Sequence, residues 1–194
     1  MEETEKFYKG MIGQVTLFFL TLFIAGSALA NDIDATPEWL VNNEAVIVQV
    51  GNLLDAESIQ QGSENELDLN QDGFLNEFYS NQFGIANNIV SQQTGSFNQV
   101  VSTQNGILNQ ISLVQQGQSN LIDINQNGGL NNAVLTQYGE SNYISLNQSG
   151  FNNLAHIAQN GLGNQAYVTQ DGSGHQVYIV QNGNFSTVTV NQSY

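Results

Sequence analysis

Glutamine recurs at every eleventh position through most of this chain. It stands at Gln49, Gln60, Gln71, Gln82, Gln93, Gln104, Gln115, Gln126, Gln137, Gln148, Gln159, Gln170, Gln181 and Gln192, without a gap or a slip. Glycine follows two places on, at Gly51, Gly62, Gly73, Gly84, Gly95, Gly106, Gly117, Gly128, Gly139, Gly150, Gly161, Gly172 and Gly183. Asparagine stands five places on, at Asn65, Asn76, Asn87, Asn98, Asn109, Asn120, Asn131, Asn142, Asn153 and Asn164. The first unit has Leu54 there, and the last two have His175 and Ser186. Thirteen units of Q-x-G-x-x-N-x-h-x-h-x, with h apolar, therefore tile residues 49–191. A catalytic site is built once. A pattern written this often is a structural unit that stacks on copies of itself.

Between the asparagine and the next glutamine, every second residue belongs to one set. Asn120, Ile122, Ile124 and Gln126 form one such set; Asn131, Ala133, Leu135 and Gln137 form the next. Period-two alternation predicts a strand of seven residues with Asn, two aliphatics and Gln on its inner face. Asn132, Thr136, Ser145 and Asn147 fall on the outer, polar face. The four residues between strands, such as Asn127-Gly128-Gly129-Leu130, read as the turn. The repeated glycines are then turn glycines, tolerant of positive φ.

One such strand cannot bury its apolar face alone. Two strands joined by a turn make an arch, and arches stack, so two units, twenty-two residues, form one rung. The expected fold is all-β: a two-sheeted β-solenoid of stacked β-arches with an amyloid-like cross-β core. At a strand spacing of ~4.8 Å the stack would stand about 30 Å tall. The inward amides need partners, because an unpaired buried amide costs roughly 1–3 kcal/mol. Each can bond to the identical amide one rung away, giving a structural ladder of the repeated Gln and Asn side chains that fixes register.

The N-terminus carries Lys6 and Lys9, an apolar run from Val15 to Ala25, and small residues Ala28-Leu29-Ala30. This is the pattern of a secretory signal peptide, residues 1–30, cut after Ala30. The run is short of the ~20 residues of a spanning helix. Residues 31–48 form a pre-repeat segment, a partial cap or a targeting segment, in which Trp39 is a recognition anchor or a covering aromatic. Residues 49–194 are the repeat array.

Lys6 and Lys9 are the only basic residues, so the chain beyond Ala30 has no lysine or arginine. That excludes nucleic acid held through phosphate contacts. Of the 17 acids, Glu2, Glu3 and Glu5 precede the cut, and only Asp123, Glu140 and Asp171 follow Glu77. Asp55, Glu57, Glu66, Asp68 and Glu77 read as outward positions of the first three units, with Glu64 and Asp72 in the turns. They act as gatekeepers against self-association or as a merely solvated face. There is no cysteine, hence no disulfide or thiolate metal site. No paired carboxylates converge in the period; His156 is outward and His175 replaces a ladder asparagine. The residues predict no enzyme, cofactor, metal or small-molecule substrate.

The Q-x-G-x-x-N-x-h-x-h-x units of a Gly/Asn/Gln-rich, exported chain resemble the curlin repeats of curli, the amyloid fibres of bacterial biofilms. The resemblance covers residues 49–192. It implies a protein that passes through the periplasm and the outer-membrane curli secretion machinery, then polymerises at the cell surface with itself and another curlin-type subunit. Every unit from Asn65 to Asn164 carries the Gln-x-Gly-x-x-Asn pattern, and Val41 to Gly62 is similar to the start of the minor, nucleating subunit. The uncharged end Thr-Val-Asn-Gln-Ser-Tyr194 departs from that subunit's basic last unit. The major fibre-forming role and a soluble, capped β-solenoid adhesin stay open as alternatives.

Overall fold

The structure, a computed structural model, describes residues 19–25 and 42–194. Ala30 and Trp39 lie outside the described residues. The elements are β1 (Phe19–Ala25), β2 (Glu44–Asn52), β3 (Asp55–Ser63), β4 (Glu66–Phe74), β5 (Glu77–Ile85), β6 (Asn88–Ser96), β7 (Gln99–Ile107), β8 (Gln110–Gln118), β9 (Leu121–Gly129), β10 (Asn132–Glu140), β11 (Tyr143–Phe151), β12 (Leu154–Leu162), β13 (Gln165–Ser173), β14 (Gln176–Asn184) and β15 (Thr187–Ser193).

The strands form two parallel sheets. One runs β1-β2-β4-β6-β8-β10-β12-β14 and the other β15-β13-β11-β9-β7-β5-β3. From β2 onward each strand pairs with the strand two further on, in a register of two repeat units: Gln104 lies opposite Gln126, and Gln126 opposite Gln148. This is the expected β-solenoid with two arch strands per rung. A row of Ala45, Leu67, Ile89, Ile111, Ala133 and Ala155 faces Phe78, Val100, Ile122, Ile144 and Ala166 across a thin core. The second inward position is not always aliphatic. Ser58, Ser80, Ser91 and Ser102 occupy it and are buried. Ser80 donates to Ser58 at 2.8 Å, two residues along the strand from the large ring of Phe78.

Three boundaries differ from the sequence reading. From β2 to β14 the strands have nine residues, not seven, because pairing continues through the glycine and one residue beyond. The turn is only two residues, as in Leu130-Asn131 between β9 and β10. Hence the glycines from Gly51 to Gly183 lie inside strands, and Asp72 sits in β4 rather than in a turn. The left-handed turn position belongs to the next variable residue: Leu53, Glu64, Leu75, Ala86, Phe97 and Leu108 have φ between 52° and 59°. Finally, β2 starts at Glu44, so the array begins half a unit before Gln49 and the division between residues 31–48 and 49–194 falls inside a strand. Asn43, Ala45 and Ile47 hold the inward places of that half unit.

Close approach, rather than chain reversal, explains the glycine. A Cβ on Gly106 would lie 1.8 Å from the carbonyl oxygen of Gly128, one rung on. The backbone there has φ 125°, and neighbouring rungs touch main chain to main chain. The turn stays bonded as well: Leu108 N donates to Ile85 O, and Gln110 N to Asn131 O. These bonds tie the corner to the rungs on either side, which lets a bulky leucine occupy the strained turn position.

Part of the apolar run assigned to the leader, Phe19–Ala25, forms β1. It lies parallel on β2 with Ile24 opposite Gln49.

Candidate functional site

The alternation that buries Ile122 and Ile124 also buries Asn120 and Gln126. The repeated amides therefore face inward at both ends of each strand. The glutamine Nε2 of one rung donates to the Oε1 of the next. In one sheet the row runs from Gln49 through Gln71, Gln93, Gln115, Gln137 and Gln159 to Gln181, at 2.7–3.0 Å. In the other it runs from Gln60 through Gln82, Gln104, Gln126, Gln148 and Gln170 to Gln192, at 2.7–3.0 Å. The glutamines also cross to the opposite sheet. Gln104 Nε2 donates to Asn88 O at 3.1 Å, and Gln126 Nε2 to Gln110 O at 3.0 Å.

The asparagine rows run the opposite way. Asn109 donates from both its backbone N and its Nδ2 to Asn87 Oδ1, and Asn131 does the same to Asn109 Oδ1. Asn131 Nδ2 also reaches Gly150 O at 3.2 Å, beside the close glycine contact. Asn65, Asn87, Asn109, Asn131 and Asn153 stack in one row; Asn76, Asn98, Asn120, Asn142 and Asn164 stack in the other. The rows are interrupted only at their ends. Leu54 is buried in the first unit. His175 N and Ser186 N still donate to the preceding asparagines, but neither residue continues the amide row. His175 Nε2 lies 3.1 Å from Asp171 O, and His156 meets Tyr178 edge-on at 4.7 Å. Those contacts are to a backbone carbonyl and an aromatic ring, not to a carboxylate.

The acids stack in register. Glu44 lies opposite Glu66, and Asp55 opposite Glu77. Neutral donors relieve them: Asn88 Nδ2 donates to Glu66 and Gln99 Nε2 to Glu77, both at 2.7 Å. Tyr79 Oη donates to Asp55 Oδ2 at 3.2 Å. The sequence reading passed over Tyr79, although its place between Glu57 and Glu77 in the period was the signal. Burial, then the charges of Asp55 and Glu77, the Asp55 hydrogen bond and the charge of Glu57, push its hydroxyl up to about 12. A group whose folded pKa is raised stabilises the fold fully below its unfolded value, near 10, and loses that contribution as pH rises through the folded value. Stability should therefore fall between about pH 10 and 12. Tyr79→Phe should flatten that part of a denaturant-midpoint profile against pH. An unchanged fall in the variant would mean that Tyr79 does not carry it.

Compared with known families, the chain matches the Curlin associated repeat over residues 41–73, 117–150 and 139–172. The first match begins before Gln49, where β2 extends the array toward the N-terminus. No curated protein matches the chain.

Proposed function

We propose that this chain, whose repeats are of the curlin type, is an exported structural subunit that self-assembles into an extracellular curli-type amyloid fibre, in the minor, nucleating role. The observation that carries this reading is the pair of glutamine rows. They run unbroken from Gln49 to Gln181 and from Gln60 to Gln192. A parallel, in-register stack of identical side chains is the arrangement that extends by adding copies. The curlin matches support the same reading. The nucleating role draws on the Gln-x-Gly-x-x-Asn pattern in consecutive units, which gives both sheets an equivalent template. The amide ladders hold the register of the stack, and no residue is assigned a catalytic part. Its partners are then itself, a second curlin-type subunit and the outer-membrane secretion machinery; its place is the bacterial surface.

The test adds preformed seeds of this chain to the major curlin-type subunit of the same organism and follows dye-binding fluorescence. The expected result is loss of the lag phase at a small molar fraction of seeds, together with the two cross-β reflections of strand and sheet spacing, at about 4.8 Å and at about 10 Å. Long fibres from this chain alone, with no effect on the second subunit's lag, would assign it the elongating role. A folded β-rich monomer that persists for days at tens of micromolar would support the capped adhesin.

A further inference from the structure

Four of the repeat units carry a chemically labile pair. Asn105-Gly106, Asn127-Gly128, Asn160-Gly161 and Asn182-Gly183 each follow a row glutamine, so the same tripeptide, Gln-Asn-Gly, stands in β7, β9, β12 and β14. Asparagine is a thermolabile residue. In such a pair the glycine nitrogen can attack the asparagine Cγ, and glycine has no side chain to stand in its way. All four asparagines are exposed. Local sequence makes the four sites alike, so a difference in their reactivity comes from the fold.

Ring closure demands that the peptide plane between the two residues swing about the asparagine Cα–C bond, out of the extended strand. Three of the sites hold that plane. Asn109 Nδ2 donates to Asn105 O at 3.4 Å, Asn131 Nδ2 to Asn127 O at 3.5 Å and Asn164 Nδ2 to Asn160 O at 3.5 Å. These bonds are long, and the packing of the glycines adds to them. A Cβ on Gly106, Gly128 or Gly161 would lie 1.8–2.0 Å from the carbonyl oxygen of the next rung's glycine. β7, β9 and β12 are also paired on both sides. Asn182 differs in all three respects. Ser186 stands in place of the ladder asparagine and has no amide for Asn182 O; its N donates to Asn164 Oδ1 and its O accepts from Gln181 Nε2. A Cβ on Gly183 meets nothing within 4 Å, and Gly183 is itself exposed where Gly106, Gly128 and Gly161 are half-buried. Among the described residues β14 pairs with β12 alone. An edge strand opens locally more readily than one paired on both sides.

We propose that Asn182 is a self-modifying site of the folded protein, deamidating through Gly183 while Asn105, Asn127 and Asn160 stay intact. Gly183 N bonds to Asn182 Cγ, the Cγ–Nδ2 bond breaks, and the amide leaves as ammonia with the proton from Gly183 N. Water then opens the cyclic imide at either carbonyl. Opening at Cγ gives aspartate. Opening at the main-chain carbonyl gives isoaspartate, in which the backbone runs through the side chain and is longer by a methylene. Aspartate is accommodated at this place in the repeat, where Asp72 and Asp171 stand. Isoaspartate is not, because the added methylene moves Gly183 and Asn184 out of register with Gly161 and Leu162. It strains the bonds of Asn164 Nδ2 to Gly183 O at 2.7 Å and of Leu162 N to Asn184 Oδ1 at 3.0 Å, which hold the corner before β15. β15 is then released with age, while the core from Ala45 to Ile179 stays paired.

The test keeps the folded full chain at mildly alkaline pH and follows each asparagine by peptic digestion and mass spectrometry, with isoaspartate read by enzymatic methylation. Pepsin serves because no lysine or arginine follows Lys9. In concentrated urea, with the fold removed, the four sites should react at similar rates. In the folded chain Asn182 should react about tenfold or more faster than the other three. Ser186→Asn supplies the missing amide and should slow Asn182 severalfold in the folded chain, with its rate in urea unchanged. Asn182→Gln places before Gly183 the residue that Gln61 and Gln116 place before their glycines, and it closes the larger ring far more slowly. Hydrogen-exchange protection of β15 should fall with age in the parent chain and persist in Asn182→Gln. Equal rates at the four sites of the folded chain, or a faster Asn105, Asn127 or Asn160, overturn the assignment. An unchanged Asn182 rate in Ser186→Asn overturns the part given to the missing amide. Equal loss of β15 protection in Asn182→Gln overturns the consequence drawn for β15.

Discussion

Gly106→Ala is expected to cost about 4 kcal/mol, although it adds a single methyl group to a strand that otherwise tolerates varied residues. Two effects add. The methyl would sit 1.8 Å from Gly128 O, a contact with backbone that cannot rotate away. The φ of 125° is also unfavourable for any side chain. Relief requires moving rung from rung, which strains the adjoining bonds of Asn87 to Gly106 O and Asn109 to Gly128 O. Two residues on, the opposite holds. Leu108 has φ 57°, where a leucine is strained by about 1–2 kcal/mol and glycine is not. Glycine costs about 0.4–1 kcal/mol through the unfolded chain, so Leu108→Gly should change stability by less than about 1 kcal/mol. Urea denaturation of both variants decides the matter. A mild Gly106→Ala beside a severe Leu108→Gly would return the glycine to the turn and refute the close approach.

That contrast shows where sequence reasoning reached its limit. Period and alternation fix which residues face inward, because a slip of one residue would expose Ile122 and Ile124 and bury Asp123. The pairing of Gln104 with Gln126 is therefore readable from spacing alone. The turn was misplaced because positive φ was assigned to the residue best able to adopt it. In the stack, bonds such as Leu108 N to Ile85 O hold the strained position, so leucine and phenylalanine stand there as well as Gly163 and Gly174, while the glycine two places after each glutamine serves the contact between rungs. Contact between residues two units apart cannot be seen in a local turn pattern. The direction of each amide row was also hidden. A glutamine reads the same whichever way its amide points, and only the bonds to Asn88 O and Gln110 O fix that orientation. The early start of β2 was legible and overlooked: Asn43, Ala45 and Ile47 keep the phase of Asn65, Leu67 and Leu69. The buried serines were legible in the same sense, since Ser58, Ser80 and Ser102 recur at intervals of two units.

A second large effect is expected inside the glutamine row, and its signature is non-additivity. Gln126→Leu keeps the volume near constant but removes the donor to Gln148 Oε1 and the bond to Gln110 O. Gln104 keeps one acceptor, Asn88 O, and loses the other. One orphaned oxygen and two lost bonds amount to about 3 kcal/mol. Extending the replacement to Gln104 and Gln148 removes both partners of each bond inside the stretch, which is nearly neutral. The orphaned acceptor simply moves to Gln170, and Gln82 retains Glu66 O and Asn87 O. The bonds of Gln82 to Gln104 and of Gln148 to Gln170 now take the place of the single variant's two broken row bonds, and the bonds to Asn88 O and Asn132 O are lost in addition. The triple variant should therefore cost about 5 kcal/mol, well short of three times the single loss. The three single variants and the triple, measured by urea denaturation of the monomer, give the coupling directly. Strict additivity would mean that neighbouring glutamines do not share their bonds. No loss in any variant would mean that the amides face water. Between those outcomes, the size of the coupling measures how far one rung depends on the next, the property a growing end must share with the interior.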